Sequence, residues 1–174
     1  MTMSVRLDMI THSVVLLYAV YFSFKHMMAS NEKTFKKAFA FIVFISSLWL
    51  IAHRDTYLPF LGYAAIPPSV FKDSLVSSNA NVEVSLPIEA KDGTRVIYWG
   101  AKSNIEIQQN PKDAYADYSN AGVTTVQDGI AKIRFHCPSQ YKVGPGYTLQ
   151  RHIHYRIVLE NGLVTPIETK YVKC

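Results

Sequence analysis

The amino-acid sequence predicts an all-β antiparallel sandwich of about 6–8 strands, preceded by a two-helix transmembrane hairpin. Three observations predict it. Two long uncharged apolar runs lie within the first 55 residues. From Val82 onward, apolar residues recur with a period of two. Asp92-Gly93, Asp128-Gly129 and Asn161-Gly162 then punctuate the chain as hairpin turns. The average composition hides this division, because 49% hydrophobic and 18% charged residues read as one soluble domain. That apolar fraction excludes intrinsic disorder, and the clustering of charge excludes a single soluble domain along the whole chain.

The organisation that follows is an anchor over residues 1–55, a Pro- and aromatic-rich juxtamembrane segment and linker over 56–81, and a sandwich over 82–174. Each uncharged run is 16 residues long, from Met9 to Phe24 and from Ala38 to His53. As helix, each spans about 24 Å, a little short of the roughly 30 Å hydrocarbon core. Flanking Lys25, Lys36, Lys37 and Arg54 close the gap by snorkelling. Neither run keeps the polar stripe of a soluble helical hairpin. Leu16, Leu17, Tyr18, Phe22, Phe44, Leu48, Trp49 and Leu50 are the expected membrane-anchoring residues, with Tyr18 and Trp49 suited to the interface. The first run is not expected to be a cleaved signal peptide, because Phe22-Ser23-Phe24-Lys25 is a poor cleavage site.

The connecting loop over 25–37 holds Lys25, Lys33, Lys36 and Lys37 against Glu32 alone. The positive-inside rule puts it on the cytoplasmic side, against lipid headgroups, with the sandwich on the opposite side. The net charge of +5 is mild and lies largely in this region, which favours lipid over nucleic acid. In the next segment, Pro59, Pro67 and Pro68 forbid a long helix.

In the sandwich, strands are expected at 82–86, 94–99, 123–126, 131–137, 152–159 and 164–172. Ile133, Phe135 and Cys137 share one face, and Lys132, Arg134 and His136 the other. Cys137 reads as a buried residue; pairing with Cys174 is the alternative if the domain faces an oxidising compartment. No phosphate-binding glycine loop, nucleophile elbow or CxxC motif occurs, and no catalytic residue is assigned.

His152 and His154 lie two apart on one strand and so point to the same face, while Ile153, Tyr155 and Ile157 fill the core. Two imidazoles in this arrangement suit one metal ion, and upstream Tyr115, Tyr118 and Tyr141 offer hard phenolate ligands suited to ferric iron. The run from Tyr98, Trp99, Gly100 and Ala101, through Tyr118-Ser119, Asp128-Gly129, Phe135, Pro138 and Tyr141, to His152-Ile153-His154 resembles the intradiol ring-cleavage dioxygenases. That resemblance implies a β-sandwich holding Fe(III), with Tyr118, Tyr141, His152 and His154 as its ligands. The chain departs from those enzymes at Leu149, where they carry a substrate-holding Arg; Arg151 lies near but on the other face. Residues 54–62, 96–101, 114–123 and 152–156 also resemble short membrane proteins encoded by large nucleocytoplasmic DNA viruses. This second resemblance implies a virion or membrane setting and a structural role between inner membrane and capsid shell. The leading expectation is a membrane-anchored structural or interaction protein with no cofactor, contacting capsid or membrane proteins or further copies of itself. The alternative is a membrane-bound intradiol-type enzyme with Fe(III).

Overall fold

The structure is a computed structural model describing residues 3–58, 61–143 and 146–174. It divides into two compact units, Met1–Gly62 and Tyr63–Cys174.

The first unit contains α1 (Met3–Met28), α2 (Thr34–Ala52) and the single turn α3 (Arg54–Tyr57). α1 runs past its uncharged stretch at both ends and α2 at its start, because intrahelical hydrogen bonding needs no apolar side chains. Two spans, Leu7–Met28 and Thr34–Ala52, are long and apolar enough to cross a membrane. Where α1 packs on α2, the buried positions are Leu16 and Ser23 on one helix and Ala40 and Ser47 on the other. Each pair is seven apart, so it forms one seam, and three of the four side chains are small enough for close backbone approach. The Ser23 hydroxyl donates to the Ala19 and Val20 carbonyls, which satisfies it within its own helix. Glu32 bridges the connecting loop, 3.1 Å from His26 Nδ1 and 3.4 Å from Lys36 Nζ. The hydrogen bond from His26, aided by Lys36, holds its carboxyl below the ordinary value. Leu17, Tyr18, Trp49 and most other apolar side chains of these helices are exposed.

The second unit is the antiparallel sandwich. Its strands are β1 (Ala64–Ala65), β2 (Val82–Pro87), β3 (Arg95–Gly100), β4 (Ala121–Gln127), β5 (Ile130–Phe135), β6 (Tyr141–Val143), β7 (Tyr147–Leu149), β8 (His152–Val158), β9 (Leu163–Val164) and β10 (Glu168–Tyr171). An eight-stranded sheet runs β1-β9-β8-β3-β4-β5-β2, with β10 pairing beside β9 on the same edge of β8. β4 joins the two layers: its first five residues pair with β3, and Val126 and Gln127 pair with β5. The core between the layers holds Leu86, Val96, Tyr98, Val126, Ile133, Phe135 and Ile153. The alternation of β5 is strict, with Ala131, Ile133 and Phe135 buried and Lys132 and Arg134 exposed.

Two polar side chains tie the layers. Tyr98 donates to the Arg134 carbonyl at 2.9 Å. Asn120, also buried, donates to the carbonyls of Ala101 and His136 and accepts from the His136 N–H.

The details differ from expectation in three places. The stretch 164–172, expected as one strand, is two, because Pro166 has no N–H for a ladder. The segment 56–81, expected to stand between anchor and sandwich, is divided at Gly62. β1 pairs with β9, and Leu75 bridges Val123 of β4, so its later part belongs to the sandwich unit. Pro59 and Phe60 lie outside the described residues. Cys137 is not a free core thiol: it is disulfide-bonded to Cys174.

Candidate functional site: a tyrosine and histidine cluster on the outer sheet face

Period two puts Val96, Tyr98, Ile153 and Tyr155 toward the core, leaving Trp99, His152 and His154 on the opposite face of β3 and β8. A second, smaller apolar cluster of Ala101, Ala114 and Tyr141 covers that face, with Tyr115, Val143 and Leu149 against it.

Two short elements deliver the phenols. The helical turn α4 (Pro111–Tyr115) starts at Asn110, whose side-chain oxygen accepts from the Asp113 N–H at 2.9 Å. Pro111 at its first position has its φ already set for helix. Fully buried Ala114 fixes the turn against the sheet, and Tyr115 follows it inward. The chain then leaves sharply: Ala116 and Tyr118 adopt φ of 40° and 56°, and Ser119 N–H donates to the Asp117 carboxylate. That bond holds the Asp117 carboxyl below its ordinary value. Left-handed backbone at two non-glycine residues costs about 1–2 kcal/mol each. Tyr141 is held by β6, whose edge is bridged by Gln108 through Gln108 N–H to Gln140 O and Lys142 N–H to Gln108 O.

The centre of the site is His152, only 3% exposed. Its Nδ1–H donates to the Gln150 carbonyl at 2.6 Å, which leaves the Nε2 lone pair facing the phenols. Tyr141 Oη lies 3.1 Å and Tyr115 Oη 3.5 Å from Nε2, and the two phenol oxygens are 3.0 Å apart. Burial holds the imidazole below its ordinary value and so keeps it neutral. Burial likewise raises both phenols, Tyr115 further because it also hydrogen-bonds Tyr141. His154 flanks the group, its ring 4.8 Å from that of His152 and its Nδ1 3.0 Å from Thr169 Oγ1 on β10. Trp99 and Tyr171 close the sides, at 5.7 Å from His154 and 5.8 Å from His152.

Tyr141, His152 and His154 thus come together. Tyr118 sits outside them, exposed, its ring stacked 5.7 Å from Tyr115. The phenol that meets Tyr141 and His152 is that of Tyr115. The signal that marks it is Asn110-Pro111, a helix start that ends one turn later at Tyr115.

The donor set fits a small, hard cation. Three atoms spaced 3.0, 3.1 and 3.5 Å apart match adjacent ligands on one ion with bonds of about 2.0–2.1 Å. The His152 Nδ1–H to carbonyl bond is the outer support that metal-ligating histidines use. Among the described residues, no group of three or more His, Cys, Asp or Glu is placed to hold a metal, so the phenols are essential to the set.

In the first unit, the expected anchoring residues Leu17, Tyr18, Phe22, Leu48, Trp49 and Leu50 are exposed, Phe44 is half-buried, and Leu16 faces α2. Lys25, Lys33 and Lys36 are exposed, and Lys37 is half-buried. No family profile and no curated protein matches this chain.

Proposed function

We propose that the chain is a membrane-anchored interaction protein, whose two helices fix a disulfide-bonded sandwich to a lipid bilayer. One observation carries this reading. Val14, Val15, Leu17 and Tyr21 of α1 and Ile42, Ile45 and Trp49 of α2 are exposed on surfaces that water would disfavour and hydrocarbon would accept. The four loop lysines favour a cytoplasmic loop. The Cys137–Cys174 disulfide independently favours an oxidising compartment for the sandwich. Both support a reading with the sandwich on the non-cytoplasmic side. The resemblance to viral membrane proteins supports a place between a membrane and a protein shell, with the sandwich contacting that shell or neighbouring copies.

Carbonate extraction tests the anchor: the chain stays with the membrane pellet, and Leu17→Lys with Ile45→Lys releases it. Extraction of the unaltered chain would reject the reading. Cross-linking in intact membranes tests the contact, and adducts with a shell protein or a second copy are expected.

The donor triangle favours a second reading, a ferric centre held by Tyr115, Tyr141 and His152 with His154 beside it. Bound there, iron would supply Lewis-acid chemistry toward an aromatic diol and dioxygen. The residues themselves would release both phenol protons on loading, while the Gln150 carbonyl keeps His152 oriented. Protein loaded with ferric salt is expected to show a visible tyrosinate charge-transfer band, weakened in Tyr141→Phe, lost in the double variant Tyr115→Phe, Tyr141→Phe and kept in Tyr118→Phe. A colourless, iron-free protein after loading would reject this reading and leave the first intact.

A further inference from the structure

We propose that the Cys137–Cys174 disulfide is a latch that a dithiol opens, releasing β10 and baring the histidine pair beside it. β10 is the wall of the site on that edge of β8. Its register sets Tyr171 opposite His152 and Thr169 opposite His154, so both side chains lie on the histidine face. Thr169 Oγ1 hydrogen-bonds His154, and the Tyr171 ring stands edge-on to His152.

The strand itself rests on few contacts: its ladder to β8, the bond between Thr169 and His154, and the bond that Tyr155 Oη donates to Glu168. It is four residues long, all four side chains are exposed, and it pairs with β8 alone. A short edge strand with no buried face is marginal by itself. What secures it follows immediately. Val172 donates its N–H to the Arg151 carbonyl and packs on the core edge, Arg151 donates to the Cys174 carbonyl, and the disulfide ties Cys174 to Cys137.

The disulfide is placed for exchange. Cys174 is exposed and Cys137 half-buried, so attack falls on Cys174. A surface hollow of about 500 Å³, lined by Ser103, Asn104, Ile105, Cys137, Arg151 and Cys174, leads to the bond. One thiolate of the dithiol attacks Cys174 Sγ and forms a mixed disulfide, and the bond to Cys137 breaks. Cys137 leaves as a thiolate, with Arg151 Nη1 3.2 Å from its sulfur to stabilise the charge. The second thiol of the reagent then closes on the first, expelling Cys174 as a thiol. Two electrons pass from the dithiol, which ends as a disulfide, to the cystine, which ends as two thiols. The trigger is therefore a dithiol reductant that reaches Cys174 on the sandwich's own side of the membrane. Nothing in it depends on what occupies the cluster.

The test is hydrogen–deuterium exchange on the full chain in detergent, before and after dithiothreitol, with thiols counted by alkylation and mass. Exchange over residues 168–172 is expected to rise by about tenfold or more while β3 and β4 amides keep their protection. Modification of His152 by diethyl pyrocarbonate should rise in parallel. The double variant Cys137→Ser, Cys174→Ser should show the released state without reagent. Unchanged exchange at 168–172 in fully reduced protein would overturn the proposal, since the ladder alone would then hold β10. An equal rise through β3 and β4 would overturn it too, since the bond would then be a staple for the whole fold.

Discussion

Gly122 shows how closely β4 lies against the Tyr98 ring of its neighbour β3 and the Leu75 backbone. A Cβ added there would come 2.2 Å from Tyr98 Oη and 2.5 Å from the Leu75 carbonyl. Neither neighbour is free to yield, because the Tyr98 hydroxyl is engaged by Arg134 and the Leu75 backbone is bridged to Val123. Gly122→Ala is therefore expected to destabilise the sandwich by about 2–3 kcal/mol, read by chemical denaturation. His152 gives the residue-scale pH dependence. In metal-free protein its folded-state value lies below the ordinary 6.5 because of burial. The unfolded chain then takes up the proton first as pH falls. Stability is full above 6.5 and declines as pH drops through that value toward the lower folded one. His152→Gln should flatten this part of the stability profile; a profile as steep as before would place its origin elsewhere.

Among the elements, α4 carries the most consequence for its size. Asn110→Ala removes its only side-chain cap and is expected to cost about 1 kcal/mol. Because Tyr115 ends this turn, its fluorescence or ring-proton shifts should change while those of Tyr98 do not. The regular strands were legible in the sequence because period two survives over five or more residues, as in β5 and β8. The facing of His152 and His154 away from the core follows from that rule alone. β6, β7 and α4 are three to five residues long, too short for any period to emerge. Asn110-Pro111 marks where α4 starts, but not which of the tyrosines that follow turns inward. That choice rests on left-handed backbone at Ala116 and Tyr118, and neither residue type announces such a conformation.

At the scale of the molecule, each unit has its own buried contacts: a seam of small residues in the hairpin and a layered core in the sandwich. Ala40→Leu would force the helices apart at that seam. It is expected to weaken the pairing of helix-end cysteines in a cross-linking assay, and to leave the thermal unfolding of the sandwich unchanged. A shifted sandwich transition would show that the units share a folding step. The charge asymmetry of the sequence is also a whole-molecule property. Lys25, Lys33, Lys36 and Lys37 gather where α1 ends and α2 begins; there Glu32 draws His26 and Lys36 together and leaves Lys25 and Lys33 exposed to headgroups.

Asn120 joins matters that the architecture otherwise keeps apart. One of its N–H bonds reaches Ala101, part of the small cluster on the outer face, and its remaining bonds reach His136, where the chain leaves β5 in the opposite layer. A single buried amide thus acts as a crossbar through the sheet. A distortion at Phe135 and a distortion at Tyr141 would each be felt by the other through it. The exchange to Asp keeps its shape but replaces two donors with acceptors that face carbonyls. The outer cluster is therefore a gauge of interior order, and its spacing would drift whenever the layers behind it slip.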